Sequence, residues 1–335
     1  MLTRYLYDRS QVEHSLFISL LERDSDKAKF WAFELYHSGF KDDTLVLLWK
    51  LYYQLYAGFF VNLERFLLRM TMDWLKDNTN DVAIGNMVEN MASKEPCIEF
   101  YRIIKGDLSG PPHMEKWIKK IRSATDAPEC FKILEGFIEQ NGCFKTRGAE
   151  IYSRMRDVFT QTKALDLHVL KCACCSRMFT GMFLLEPQNG FDDRMNIILD
   201  KNEISRYKNK PFVEGRSWKL VRRECVYKLD IDPDYKQEDM YDYNDDKWTF
   251  HVSFSPLWRK RITKYGGKVN EAEGRINFND DETEEAFYNW FNVDPDEQPA
   301  EVKAKWLGQK TYDKWTDIYA KYACAPFNEW MSAYT

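Results

Sequence analysis

Residues 10–52 read SQVEHSLFISLLERDSDKAKFWAFELYHSGFKDDTLVLLWKLY, and their apolar spacing decides the fold. Val12, Leu16, Leu20 and Leu21, then Ala28, Trp31 and Leu35, then Leu45, Leu48, Trp49 and Tyr52 recur every three or four positions. That is the period of an α-helix, not the alternation of a strand. Ser10 with Glu13 fits a capping box, which places the first helix start near Gln11. Asp24 and Ser25 are capping residues for a second helix, Gly39 can end it in a left-handed conformation, and Asp42 or Asp43 starts a third. Connections this short make the helices antiparallel neighbours, as in an array of αα-hairpins.

The helical pattern continues outward from this stretch. Residues 45–63 are apolar enough to suggest a membrane span, but Lys50, Gln54 and Asn62 interrupt them and Gly58 is a natural break, so two buried helices are expected. Further helices are predicted over 81–91, 96–105, 112–123, 127–139, 146–160 and 163–180, with Pro96, Pro112 and Pro128 near helix starts, where a missing amide hydrogen costs little. No repeat unit recurs, so a regular solenoid is not indicated. After Pro187 the texture changes to short apolar clusters between charged, Asn-rich loops. Residues 219–229 and 275–278 are candidate strands, the first equally a helix. Helices are predicted at 257–265, stopped by Gly266, and at 282–291, 299–307 and 312–322. The expected fold is mainly α: a helical domain over 1–185, then a smaller α-rich module over 186–335 with charge-blocked loops and at most a few short strands.

Charge in the second half comes in blocks. Residues 201–223 hold eight Lys or Arg against two Glu, and 230–246 hold eight acids against one Lys. Residues 256–268 then hold five basic residues and no acid, while 269–297 hold ten acids against one Arg. Such blocks can fold together and neutralise one another, or leave a basic face free for phosphate or an acidic partner. The candidate binding residues are Arg222 and Arg223, then Arg259, Lys260, Arg261 and Lys264, lying beside Trp218, Trp258 and Tyr265. Cations next to stacking rings serve single-stranded nucleic-acid binding, but arginine stems packed on rings are also common on ordinary surfaces.

Catalytic patterns are missing from the sequence. It contains no GxxxxGK[ST] phosphate loop, no GxGxxG, no HExxH and no GxSxG. His168, Cys172, Cys174 and Cys175 look like metal ligands until placed on a helix, where Cys174 and Cys175 point away from the His168–Cys172 face. Buried thiols on a continuous helix are therefore expected, not zinc. Asp230, Asp232 and Asp234 resemble an EF-hand start, but Tyr235 and Tyr241 stand where its Gly and Glu belong. The same run after an apolar stretch also suits a magnesium phosphatase, with Asp280 and Asp281 completing the metal site, yet the alternating strands of such a fold are not seen. A solvated acidic loop is expected. No metal, no cofactor and no enzymatic activity are expected. The eight cysteines, irregularly spaced in a large chain, suit free thiols in a reducing compartment.

Three segments, MLTRYLY (1–7), FWAFELYHSGF (30–40) and FSPLWRKR (254–261), together resemble an uncharacterised protein family of large nucleocytoplasmic DNA viruses. Residues 15–35 are also similar to the helical collar of clamp-loader-like ATPases, although no phosphate loop accompanies them. The viral resemblance brings no activity and no site residues. It implies a non-catalytic interaction or scaffold protein of a large DNA virus, presenting helical and aromatic surfaces to other viral proteins. Two alternatives are a nucleic-acid-binding accessory protein of viral replication or transcription, and a structural virion component such as a minor capsid protein. The expected location is the host cytoplasm or the virion, without membrane insertion, and residues 1–9 carry no apolar run of a secretory signal.

Overall fold

The computed structural model describes residues 1–141, 147–162, 165–183, 199–208, 220, 248–291 and 315–334. Among these residues the fold is mainly α, with sixteen helices and one two-stranded antiparallel sheet. The first ten helices are α1 (Arg9–Leu21), α2 (Ser25–His37), α3 (Lys41–Leu55), α4 (Val61–Lys76), α5 (Asp81–Ala92), α6 (Ile98–Lys105), α7 (Pro112–Ser123), α8 (Ala127–Asn141), α9 (Arg147–Thr162) and α10 (Leu167–Phe183). Short helices α11 (Lys201–Ser205) and α12 (Trp248–Val252) precede α13 (Pro256–Lys264). Strands β1 (Lys268–Asn270) and β2 (Arg275–Asn277) pair with Val269 opposite Ile276, and α14 (Asp281–Phe291), α15 (Trp315–Lys321) and α16 (Ala325–Tyr334) complete the described chain.

Helix starts follow local chemistry, with several departures from expectation; α10, for one, begins at Leu167 and not at 163, with Asp166 Oδ1 accepting from the Val169 amide at 2.8 Å. Asp8, not Ser10, caps α1: its carboxylate accepts from the Ser10 and Gln11 amides and also takes the Ser10 hydroxyl. A carboxylate oxygen is a better acceptor than a hydroxyl for the free amides of a helix start. Asp24 caps α2 through the Lys27 amide, as expected. Helix α3 begins at Lys41 with Phe40 at its N-cap, which places Asp42 and Asp43 in the first turn, where they favour the positive helix end. Helix α6 begins at Ile98 rather than at Pro96, because Cys97 occupies the extended N-cap position. Gly39 closes α2 at φ +100°, and a Cβ there would lie 2.9 Å from the Phe254 carbonyl oxygen. A side chain is excluded by both conformation and space.

The main core is built around α10, which packs against α3, α6, α7, α8 and α9. Every side chain from Val169 to Thr180 is buried, so this helix is enclosed on all sides and needs no polar face. Around it the aromatic residues of the opening helices turn inward. Trp31, Trp49, Trp74, Tyr52, Tyr53 and Tyr56 are fully buried, as expected for those in the helices over 45–63. Several of their polar tips are satisfied within the core, as buried indoles and phenols require, whereas the Tyr56 hydroxyl has no hydrogen-bond partner among the described residues. Trp49 Nε1 donates to Thr71 Oγ1 at 2.9 Å, Trp74 Nε1 to the Tyr36 hydroxyl at 3.2 Å, and Tyr36 in turn to the Asn78 carbonyl at 2.6 Å.

A second apolar cluster joins Trp248, Val252, Trp258, Ile262, Ile276 and Phe287. The two cores are interleaved along the sequence. Leu2 and Leu6 complete the second cluster, while Leu199, Ile204, Tyr207, Ile318, Tyr319, Cys324 and Phe327 belong to the first. Arg4 ties the two regions together. Its guanidinium pairs with buried Glu34 at 2.9 Å and donates to the Tyr207 and Lys208 carbonyls, and its own carbonyl accepts from Trp258 Nε1 at 2.9 Å.

Sequence-predicted elements at 219–229, apart from Leu220, and at 299–307 lie outside the described residues, as do the Asp230 to Asp234 run and the acidic block 230–246. No helix among the described residues is long and apolar enough to cross a membrane.

Candidate functional site

Helix α13 is amphipathic by construction. Ser255 and Pro256 start it, and Trp258 and Ile262, one turn apart, anchor its inner face in the second core. Arg259, Lys260 and Lys264 consequently point outward and are exposed. Arg261 behaves differently from the other predicted binding residues. It is half-buried, its guanidinium 4.5 Å from the Trp258 ring centre and 4.8 Å from that of Phe291, and burial lowers its pKa from the ordinary value. Its role is to cover the aromatic core. Arg222 and Arg223 lie outside the described residues.

The exposed part of this face includes an aromatic ring. Trp290, on α14, is 69% exposed, and the Lys264 ammonium sits 5.4 Å from its centre and 5.4 Å from that of Tyr265. Among the described residues no ion pair engages Arg259, Lys260, Arg261 or Lys264. The acids opening α14, Asp281, Glu282 and Glu284, are near in sequence without neutralising these cations by direct pairing. The chain matches no protein-family model, no curated protein and no solved structure.

Two further polar groupings lie inside the molecule. Between α3, α4 and α10, Arg177 pairs with Glu64, whose Oε1 also accepts from the Tyr53 hydroxyl at 2.8 Å. All three are buried. Burial opposes the charge on Arg177, but the Glu64 carboxylate and the neighbouring tyrosines outweigh it and raise the guanidinium's pKa, while burial followed by Glu64 raises that of Tyr53. This is an internal clamp between the three helices.

The second grouping comprises Cys97, Glu99 and Cys324, whose ligand atoms all lie within 4.8 Å of one another. The predicted metal-like run sits elsewhere. His168, Cys172, Cys174 and Cys175 share the continuous helix α10 with all three thiols buried, as the spacing implies. Gln54 Nε2 approaches Cys172 Sγ at 3.7 Å, and Cys174 Sγ approaches the Cys130 carbonyl at 3.9 Å, so two of these thiols are held by packing neighbours. The Cys97 grouping escapes sequence reading because its members are separated by most of the chain. Only Cys97-x-Glu99 is local, and that spacing is common.

Proposed function

We propose that the chain is a non-catalytic interaction protein of a large DNA virus, acting in the host cytoplasm or the virion, and that it meets its viral partners through the outward face of α13. The observation that carries this reading is the exposed Trp290 ring beside Lys264, continuous with Arg259 and Lys260 on the same helix. A large exposed ring beside unpaired cations is a contact surface of the kind hot spots use, since tryptophan buries much area with little rotamer loss. The partner it fits carries an acidic segment with an apolar or aromatic neighbour. The viral assignment rests on the resemblance of residues 1–7, 30–40 and 254–261. Affinity purification from infected cells tests it, comparing the wild type with Lys260→Glu/Lys264→Glu/Trp290→Ala. Loss of the co-purifying viral proteins from the folded variant is expected, and an unchanged partner set would rule the face out.

The same face favours one second reading, an accessory nucleic-acid-binding protein. Arg259, Lys260 and Lys264 would neutralise phosphates while Trp290 stacks on a base. In a gel-shift titration this reading requires affinity to fall steeply with salt, because each phosphate contact releases counterions. Binding to single strands that ignores salt, or survives the triple substitution, counts against it. Mass spectrometry of purified particles separates a structural virion component from both.

A further inference from the structure

The Cys97, Glu99 and Cys324 side chains converge from two distant parts of the chain. Cys97 is the N-cap of α6, Glu99 lies in the first turn of the same helix, and Cys324 sits in the turn between α15 and α16. Their relative exposures are 0%, 2% and 2%, so the cluster is sealed from bulk water. The Cys97 thiol donates to Glu99 Oε2 with Sγ 3.5 Å from the oxygen. Two ligands on one tetrahedral zinc ion, with bonds of about 2.3 Å to sulfur and about 2.0 Å to oxygen, are themselves about 3.5 Å apart. The pair is spaced as a zinc ion would space it.

The carboxylate supplies the second, independent observation. Glu99 is buried, and among the described residues no Lys, Arg or His forms an ion pair with it. Its Oε1 is occupied, accepting from the Cys324 amide at 2.9 Å and from Asn328 Nδ2 at 3.1 Å. These bonds fix the carboxylate plane and aim Oε2 at the thiols, as outer partners orient ligands in metal sites. A buried carboxylate ordinarily has a cation or coordinates a metal, because desolvating an unpaired charge is costly.

We propose that Cys97, Glu99 and Cys324 form a zinc site that fastens α16 to α6. The ligand set selects the metal: two sulfurs disfavour the hard cations calcium and magnesium, and a tetrahedral arrangement of sulfur and oxygen suits Zn²⁺. Coordination replaces both thiol protons, which leave to solvent, and a water molecule takes the fourth position. The ion bonds the Glu99 carboxylate directly, while the net charge of the site is unchanged because the two protons released balance the two charges gained. It also adds a bond across 225 residues of sequence, next to the contact where Phe327 meets Phe100 and Phe179.

The test uses the full chain purified under reductant, loaded with zinc and desalted. Elemental analysis should find about one zinc ion per chain, absent from Cys97→Ser and Cys324→Ser. Cobalt in place of zinc should give the wild type a thiolate-to-metal absorption band. Because a serine variant can fail to fold, the wild type is also alkylated with and without chelator and its cysteines are mapped by mass. Chelation should speed modification of Cys97 and Cys324 selectively over Cys172, Cys174 and Cys175. Asn328→Ala should weaken zinc binding by about tenfold while leaving the helical signal unchanged. A wild type that takes up no zinc, zinc retained by both serine variants, or alkylation indifferent to chelator overturns the site. A Cys97–Cys324 disulfide that persists in the zinc-treated protein overturns it equally.

Discussion

Arg177 shows how little freedom a single buried side chain has here. The pair with Glu64 is enclosed, and removing either partner strands the other charge in the core. Arg177→Met should therefore destabilise the protein by about 3–5 kcal/mol, far more than a surface arginine change, as read by urea unfolding. A loss below about 1 kcal/mol would show that water reaches the pair. Two histidines make the interior sensitive to acid. Burial, then Lys105 and Lys50, holds His14 down to about 4, even though its Nδ1 donates to the Ser10 carbonyl at 2.7 Å, which works the other way. His37, stacked on Phe33, is held to about 3 by burial, then Arg4, Lys208 and Lys41. It is therefore neutral beside Asp81, whose cation is Lys208 at 2.8 Å. Both imidazoles are neutral in the folded state, and on unfolding they regain an ordinary pKa near 6.5. Above that value neither state binds the proton and no stability is at stake. As pH falls below it only the unfolded chain binds, so stability is lost progressively down to about 4 for His14 and about 3 for His37. His14 alone should contribute on the order of 2 kcal/mol to the difference between about pH 7 and about pH 4.5. His14→Gln should flatten that dependence, and an unchanged pH slope would show that His14 titrates normally.

Among the helices, α1 is capped by Asp8 where the sequence pattern pointed to Ser10. With Asp8 accepting two amides, Asp8→Ala should cost about 0.5–2 kcal/mol, whereas Ser10→Ala should cost a fraction of that. Thermal unfolding of both variants checks the order, and equal losses would return the capping role to Ser10. Legibility at this scale followed the strength of the local signal. Helix α7 was readable to its last residue because Pro112 opens it and polar residues close it, and β2 was readable from alternation in 275–278. Helix α16 was missed because Ala325 and Pro326 mark a start only when the turn at Cys324 is known. Strand β1 was missed since three residues carry too little period, and the pairing of Val269 with Ile276 is what makes it a strand. Aromatic density marks a need for burial, and whether neighbours or partners meet it is decided by tertiary packing. Arg261 illustrates the same limit, since its neighbours Arg259 and Lys260 have the same charge yet face solvent.

Taken as one object, the molecule is held by its two ends as much as by its middle. Phe327 sits 5.3 Å from Phe100 and 6.3 Å from Phe179, so α16 is a part of the main core, not an appendage. Phe327→Ala should cost about 3–5 kcal/mol. Denaturant unfolding measured with helical and tryptophan signals should still give one transition, and separate transitions would show that α16 melts independently. Nothing in the sequence announced this closure, nor the convergence of Cys97 with Cys324, because residues so far apart share no period and no motif.

The seat of Leu2 and Leu6 in the second core has a temporal side. These residues leave the ribosome some 240 residues before Trp248 and Trp258, against which they are buried. At about 5–20 residues per second of synthesis, the opening segment waits on the order of 10–50 seconds for its partners. During that interval Arg4 can already reach Glu34, whereas the two leucines have nowhere to go. The nascent chain thus carries a short apolar segment, held near α2 by one ion pair, until Trp248 and Trp258 have been synthesised.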